Sequence, residues 1–501
     1  MKKTLIILFL ILVGAFYVRL HRFDWPVADW HSWRQVDTSA VSRTFVQEGY
    51  DILRPRFPDL SKGVSLIDNP QGYRFVEFPI YNVAQAFFYQ NIGRFTLEQW
   101  GRLVTIFSSI ISIVFIYLLI KKYANARAGI LGAFFFAFVP YNIYYGRTIL
   151  PDQSMVAALL AGTYFFALWI EESSKLKVES LKLHFKVKNF SLFFAAVVFT
   201  ATALLLKPYA LFFTLPMVYL AWRGFGFSLF REWPLWIFLI LSLLPLGLWH
   251  QWMSQEEFIQ GVPRNNWLFN GNGIRFKGAF FHWLFADRIG RLILGYWGLP
   301  FVVLGILRKI NKKENWFFYF FAISSLIYMT VLATGNVQHD YYQILIMPTL
   351  AFFFAKGLDL ILEKKDMFNR WVSFLTIAVS IVFMIAFGWF AVRDYYNIQH
   401  QGVVIAGRAV DANTPKNAKI IAPYGGDTTF LYYANRKGWP VFDRTLKDFK
   451  KAGASYIAFA DPTQEELHFE TLFAPVIITK QYAIFDLTKP TLEGLKAQKK
   501  N

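Results

Sequence analysis

Apolar runs of roughly helix length punctuate the chain almost from end to end. The first follows two lysines and reaches Val18, and others lie at 103–120, 129–145, 153–170, 190–206, 209–222, 234–253, 291–307, 316–334, 343–362 and 371–391. A helix of about 20 apolar residues crosses the hydrocarbon core of a bilayer. The first run continues into Arg19, Leu20, His21 and Arg22 without a small-residue cleavage site, so it reads as a retained helix rather than a signal peptide. The pattern predicts eleven spans. Two stretches depart from it. Residues 22–100 are amphipathic, and the piece RFVEFPIYNVAQAFFYQNIG reads as a hairpin of short interfacial helices. Residues 392–501 alternate short β-rich runs at 419–423, 456–459 and 475–478 with helical pieces near 402–412, 428–436 and 445–453. The expectation is a polytopic α-helical membrane protein with a membrane domain over 1–391, amphipathic helices in its first external loop (about 22–100), and a small α/β domain over 392–501. Gly425-Gly426 reads as a turn, since two glycines fall short of a phosphate-binding fingerprint.

Charge then gives these spans a direction. Lys2 and Lys3, Lys121, Lys122 and Arg127, the five lysines of 171–189, and Arg223 and Arg231 all fall on one side. So do Arg308, Lys309, Lys312 and Lys313, then Lys364, Lys365 and Arg370. Short cytoplasmic loops carry the excess of Lys and Arg, which puts the N-terminus inside and the C-terminal domain outside, in a cell (inner) membrane. The formal charge of +19 is thereby explained without nucleic acid. At 55% hydrophobic residues the composition excludes an ordinary soluble enzyme. With no Cys, thiolate nucleophiles, disulfides and Cys-ligated metals are excluded too.

The same topology collects the chemistry-bearing residues outside. They lie in the 22–100 loop, in the turn 145–152, at Lys207-Pro208-Tyr209, in the 254–290 loop and at 336–342. The densest is DWHSWRQVDTSAVSRTFVQEGY, from Asp29 to Tyr50.

At HSWRQVDTSAVSRTF, at EFPIY (77–81), at RTILPDQSM (147–155) and at HDYYQILIMP (339–348), residues 1–391 resemble the GT-C superfamily of membrane glycosyltransferases. The nearest branch is that of the bacterial relatives of protein O-mannosyltransferases and of the lipid A aminoarabinose transferases. The resemblance implies inverting transfer of a hexosyl or pentosyl group from a polyprenyl-phosphate-linked donor on the non-cytoplasmic face. It also implies an acidic base in the first external loop. The partners expected are thus a polyprenyl-phospho-sugar donor, an acceptor in an envelope glycan, lipid or protein, and the membrane, with no nucleic acid.

The chemistry can also be argued from the reaction. A sugar on a lipid phosphate already has a good leaving group, so one carboxylate to deprotonate the acceptor and a few cations to hold the phosphate suffice. Asp29, at the loop entrance, and Asp37, within WRQVDT, are the two candidates for base, Asp29 being preferred. The acidic pair usual in the family is missing, and Arg34-Gln35 stands about where it belongs. Asp152 is the second catalytic candidate, as the acid of RTILPD. Arg34, Arg147, Lys207, His339 and Tyr342 are candidates for the donor phosphate, and His31, Gln35 and Glu77 for the acceptor side.

Plainer roles exist for each. A carboxylate can cap the next helix, Arg can snorkel to headgroups, and Tyr at a span mouth can belong to an aromatic belt. No cofactor is expected. Asp29, His31, Asp37, Glu77, Asp152 and His339 include enough ligands for a divalent metal, but no pair has the spacing of a recognised site. Competing functions are a polymerase or ligase using lipid-linked saccharides, a transporter of them, and a non-catalytic polymer-binding protein. Span centres nearly free of charge argue against the transporter.

Overall fold

A helix apolar on every side can be buried only by lipid or by other helices, and the architecture follows from that requirement. In the computed structural model, which describes residues 2–62, 67–178, 187–256, 266–363 and 369–500, each of the eleven apolar runs contains a helix. Seven helical segments among the described residues are long and apolar enough to cross a membrane. They are Leu97–Tyr123, Asp152–Ser174, Asn189–Leu206, Pro208–Arg231, Trp233–Met253, Asp340–Glu363 and Arg370–Asn413.

The remaining helices are shorter for local reasons. Pro140 cannot continue the ladder of Ala126–Phe138, and a new helix, Pro140–Tyr145, starts there with proline in its first turn. Run 291–307 is interrupted at Gly295, whose φ of 49° is left-handed, so that only Leu299–Leu307 is regular α-helix. Lys364 and Lys365, residues 179–186 of the lysine-rich segment and residues 257–265 of the expected 254–290 loop lie outside the described residues.

The chain divides into two compact units. One comprises Met1–Phe23, Arg102–Trp252 and Arg264–Asp394; the other comprises Asp24–Gly101, Met253–Pro263 and Tyr395–Asn501. The sequence division at 391/392 has its counterpart at Asp394/Tyr395, but the first loop groups with the C-terminal residues instead of with the spans. The cause is that the loop's buried polar groups find their partners there, as described below.

Within the helical unit, small residues set the closest approaches. A Cβ on Gly305 would lie 1.8 Å from the Phe353 carbonyl oxygen, and one on Gly357 would lie 1.8 Å from that of Phe301. Helices Leu299–Leu307 and Met347–Glu363 therefore meet backbone to backbone, the device by which helices associate in lipid. The basic short loops gather at one end of this unit. Asp359 accepts from Arg127 (2.6 Å) and Arg308 (2.9 Å), Lys313 reaches the Lys121 and Ala124 carbonyls, and Arg223 reaches those of Lys312 and Lys313. Asp152, Lys207, His339 and Tyr342 lie at the opposite helix ends of this unit.

The other unit is built on a five-stranded sheet, β1 (Lys419–Ile421), β2 (Gly438–Trp439), β3 (Ala454–Ala460), β4 (Phe473–Ile478) and β5 (Tyr482–Pro490), in the order β2-β1-β3-β5-β4. The first three strands are parallel, and β5 and β4 are antiparallel. Alternation assigns Ile421, Ile457, Phe459 and Phe485 to a core on one face and Ile420, Ala458 and Ile484 to a core on the other. Helices Gln401–Asn413 and Thr429–Ala434 cover the second face. Strands β1, β3 and β4 coincide with the three β-rich runs of the sequence. Strand β2 is too short to show a period, and the pattern of β5 is interrupted by the buried Asp486.

The first loop enters this sheet directly. The Leu60 N–H donates to the Gly438 carbonyl at 2.8 Å and the Gly438 N–H to that of Pro58 at 2.9 Å, extending the β2 edge, while Leu60 joins the core. Helix Ser32–Glu48 is enclosed rather than laid on a surface, with every residue from Arg34 to Ser42 buried.

Candidate active site

Local sequence shapes the entrance to helix Ser32–Glu48. Trp30 stacks on Tyr395 with ring centroids 5.0 Å apart, and its N–H donates to the Tyr395 carbonyl at 3.0 Å. His31 follows with φ of 56° and makes no side-chain cap. Asp37 lies inside the helix, so the capping role considered from sequence is removed for it. Asp29 is buried, and its Oδ1 accepts from Gln35 Nε2 at 2.7 Å, one turn into the helix. The same Gln35 nitrogen also donates to the Trp30 carbonyl at 3.2 Å.

Asp37 has a different environment. Its Oδ2 lies 3.0 Å from Arg74 Nη1, and its Oδ1 accepts from the Thr428 hydroxyl. Arg34 pairs with Glu77, joining a candidate phosphate ligand to a candidate acceptor-side residue. Further along the helix, Tyr432 is a second anchor: its hydroxyl donates to Glu98 Oε1 at 2.6 Å and lies 2.9 Å from Ser39 Oγ. Arg43 donates to the Tyr432 carbonyl at 2.6 Å and stands over the ring, 3.6 Å from its centroid. Burial pushes the Tyr432 phenol far above its ordinary range, so it stays a neutral donor at any physiological pH.

The remaining five candidates belong to the helical unit. Asp152 opens helix Asp152–Val178, Lys207 directly follows helix Val187–Leu206, and Lys207 Nζ lies 2.9 Å from Asp152 Oδ1. Around that ammonium stand the rings of Tyr341, Tyr342 and Tyr209, at 5.5, 5.8 and 6.0 Å from Nζ. His339 stacks on Tyr341 and Tyr342, with centroids at 5.4 and 6.1 Å. Thus Asp152, Lys207, His339 and Tyr342 form one cluster.

Arg147 lies five residues before Asp152 in the chain. Its Nη1 donates to the Arg22 carbonyl at 3.3 Å, and its guanidinium lies 5.6 Å from the Tyr144 ring centre. Tyr144 packs against Tyr145, whose hydroxyl donates to Asp340 Oδ1 at 2.5 Å. Burial, with Arg147 and Arg22 adding to it, holds His21 below its ordinary range.

Several contributing residues were passed over by the motifs. Arg74, Thr428 and Tyr432 fix helix Ser32–Glu48, and Arg102 donates to the Phe23 carbonyl at 2.5 Å beside Arg147's acceptor. Arg102 alone had a local signal, as an Arg at the start of an apolar run. Among the described residues no group of three or more His, Asp or Glu side chains is placed to hold a metal.

Residues 79–252 match the family described as dolichyl-phosphate-mannose-protein mannosyltransferase. No curated protein sequence matches the chain. Among solved structures, ArnT from Cupriavidus metallidurans bound to undecaprenyl phosphate is similar over 95% of this chain and 97% of its own, with a TM-score of 0.65 at 12% identity. The apo form of that protein gives 0.64 at 12% identity, over 97% and 98%. The Archaeoglobus fulgidus oligosaccharyltransferase in its apo form gives 0.59 at 11% identity, over 91% of this chain and 69% of its own. The fold is that of the GT-C superfamily.

Proposed function

We propose, from the GT-C glycosyltransferase fold that this chain carries, that it moves a hexosyl or pentosyl group from a polyprenyl-phosphate-linked donor to an acceptor hydroxyl on the non-cytoplasmic face of a cell (inner) membrane. The observation that carries the reading is the likeness, over almost the full length of both chains, to a protein solved with undecaprenyl phosphate bound. The match to the mannosyltransferase family supports it independently.

In this reading the acceptor oxygen attacks the anomeric carbon as the bond from that carbon to the phosphate oxygen breaks, inverting the centre. The acceptor proton passes to a first-loop carboxylate, and polyprenyl phosphate leaves with the electron pair. Asp29, at the loop entrance, is taken as the base, and Asp37 holds Arg74 and Thr428. Arg147, Lys207 and His339 hold the departing phosphate, as fixed positive or hydrogen-donating groups aimed at charge that develops during transfer. Asp152 keeps Lys207 in place. Gln35 orients Asp29, while the Arg34–Glu77 pair and His31 shape the acceptor side.

The test is transfer from radiolabelled polyprenyl-phospho-sugars by purified protein, with Asp29→Asn in parallel. Loss of the base lowers the rate by about 10²–10⁴. An unchanged rate in that variant sinks the assignment of Asp29. Activity with diphosphate-linked but not monophosphate-linked donors would instead identify a polymerase or ligase.

A further inference from the structure

The unit built on the sheet contains a cavity of about 430 Å³ whose lining includes Ala28 and Ser32, on either side of Asp29 in the chain. Its volume lies within the roughly 300–1,000 Å³ typical of small-molecule sites. Most of its polar wall comes from the C-terminal segment, through Gln399, His400, Tyr424, Gly425 and Asp427. The Gln399 N–H donates to the Ala28 carbonyl at 3.2 Å, which ties the two parts of the wall together.

Three features describe what it can hold. First, no Lys or Arg among the described residues lines it, and its carboxylate, Asp427, opposes a phosphate or another carboxylate. A second cavity of about 350 Å³ in the same unit provides the contrast: its wall includes Arg43, Arg436 and Lys437, already engaged by the Tyr432 carbonyl, Asp411 and Glu48.

Second, its polar groups suit hydroxyls. His400 and Tyr424 pack edge to face at 5.5 Å, which presents an aromatic wall with polar tips. Asp427 Oδ1 accepts from the Thr429 N–H at 2.7 Å, which leaves its other oxygen to accept from a hydroxyl, and burial raises this carboxyl above its ordinary range. Third, the turn is open. Gly425 and Gly426 have φ of 60° and 84°, and a Cβ on either would meet nothing within 4 Å, so the turn leaves room for a ligand to approach the backbone.

Hydrogen-bonding groups, a carboxylate among them, set beside an aromatic wall are suited to the hydroxyls and the apolar face of a sugar. We propose that this cavity binds a neutral saccharide end, and that its role, which rests on the transferase reading above, is to seat the acceptor next to the loop that carries Asp29. The binding itself is independent of that reading.

The experiment is saturation-transfer difference NMR on the full-length protein in detergent micelles. The probes are the methyl glycosides of glucose, galactose, mannose and N-acetylglucosamine, with glycerol and inorganic phosphate as controls. His400→Ala and Tyr424→Phe are the variants, since neither side chain makes a hydrogen bond to the described residues. At least one glycoside should bind the wild-type protein in preference to glycerol. Each variant should raise its Kd by about fivefold, the loss expected for one hydrogen bond. Unchanged Kd values in both variants, no glycoside bound above glycerol, or phosphate bound in its place would each overturn the proposal. Binding retained in a protein that transfers no sugar would leave the cavity assigned and sink only the transferase reading.

Discussion

Lys207 Nζ and Asp152 Oδ1 are 2.9 Å apart, the ammonium side chain 6% exposed and the carboxylate 1%. Two charges removed this far from water hold each other in place, and deleting one strands the other at a cost of about 3–5 kcal/mol. Both Lys207→Met and Asp152→Asn should therefore lower the thermal midpoint of the purified protein. The double variant should recover much of that loss, because no lone charge remains. Transfer activity separates packing from function: it should stay low in the double variant, which lacks the Lys207 ammonium for the phosphate. Recovery of both stability and transfer would reduce the pair to a structural role.

Asp37 is placed between Arg74 and Thr428, and Asp29 accepts from the Gln35 amide. The two carboxylates should respond oppositely to neutralisation. Asp37→Asn breaks a largely buried pair with Arg74 and should cost on the order of 3 kcal/mol, seen as a lower thermal midpoint and faster proteolysis of the first loop. Asp29→Asn, whose amide oxygen can still accept from Gln35, should lower the thermal midpoint less than Asp37→Asn does while abolishing transfer. Thermal shift and initial rates on the same preparations decide it, and a reversed pattern would make Asp37 the base.

Much of this arrangement was legible in the sequence, and the missing part has a physical explanation. Each apolar run announces helical structure, because burial in lipid is written into consecutive residues, and seven segments among the described residues are long and apolar enough to span. The clustering of Asp152, Lys207, His339 and Tyr342 follows from their all lying at span ends, which a count of basic loops can sort. What the sequence could not convey is the grouping of the first loop with the C-terminal residues. That depends on Asp37 meeting Thr428 and on Leu60 pairing with Gly438, contacts separated by hundreds of residues and carried by single side chains or two backbone bonds. Helix Ser32–Glu48 also misleads locally: its polar residues look solvent-facing, yet Ser39, Ser42 and Gln35 are buried and satisfied by partners elsewhere in the unit or in the helix itself.

Asp59 provides a pH signature. Burial pushes its carboxyl up to about 6, with Asp37 adding to the rise and Arg74 and the Ser61 N–H opposing it. A carboxyl raised on folding binds its proton more tightly in the native state. Its favourable contribution is thus complete below the ordinary carboxylate range near 3.8 and is lost as pH climbs through about 6. Relative to Asp59→Asn, the wild-type protein should lose thermal stability between pH 4 and pH 7. Parallel curves for the two proteins across that window would show that Asp59 is not the group responsible.

Tyr432 gives the sharpest test of the joint between the first loop and the C-terminal residues. Its hydroxyl serves Glu98 and Ser39, and its ring supports Arg43, so hydroxyl and ring can be removed separately. Tyr432→Phe keeps the ring and leaves a carboxylate short of a donor, a loss of about 1–3 kcal/mol. Tyr432→Ala also removes the cation–π contact and the packing, for about 3–5 kcal/mol in all. If the two segments fold as one unit, hydrogen exchange in both Ser32–Glu48 and Thr429–Ala434 should accelerate together, in the order Ala above Phe above wild type. Acceleration confined to Thr429–Ala434 would mean that helix Ser32–Glu48 holds its structure without this anchor.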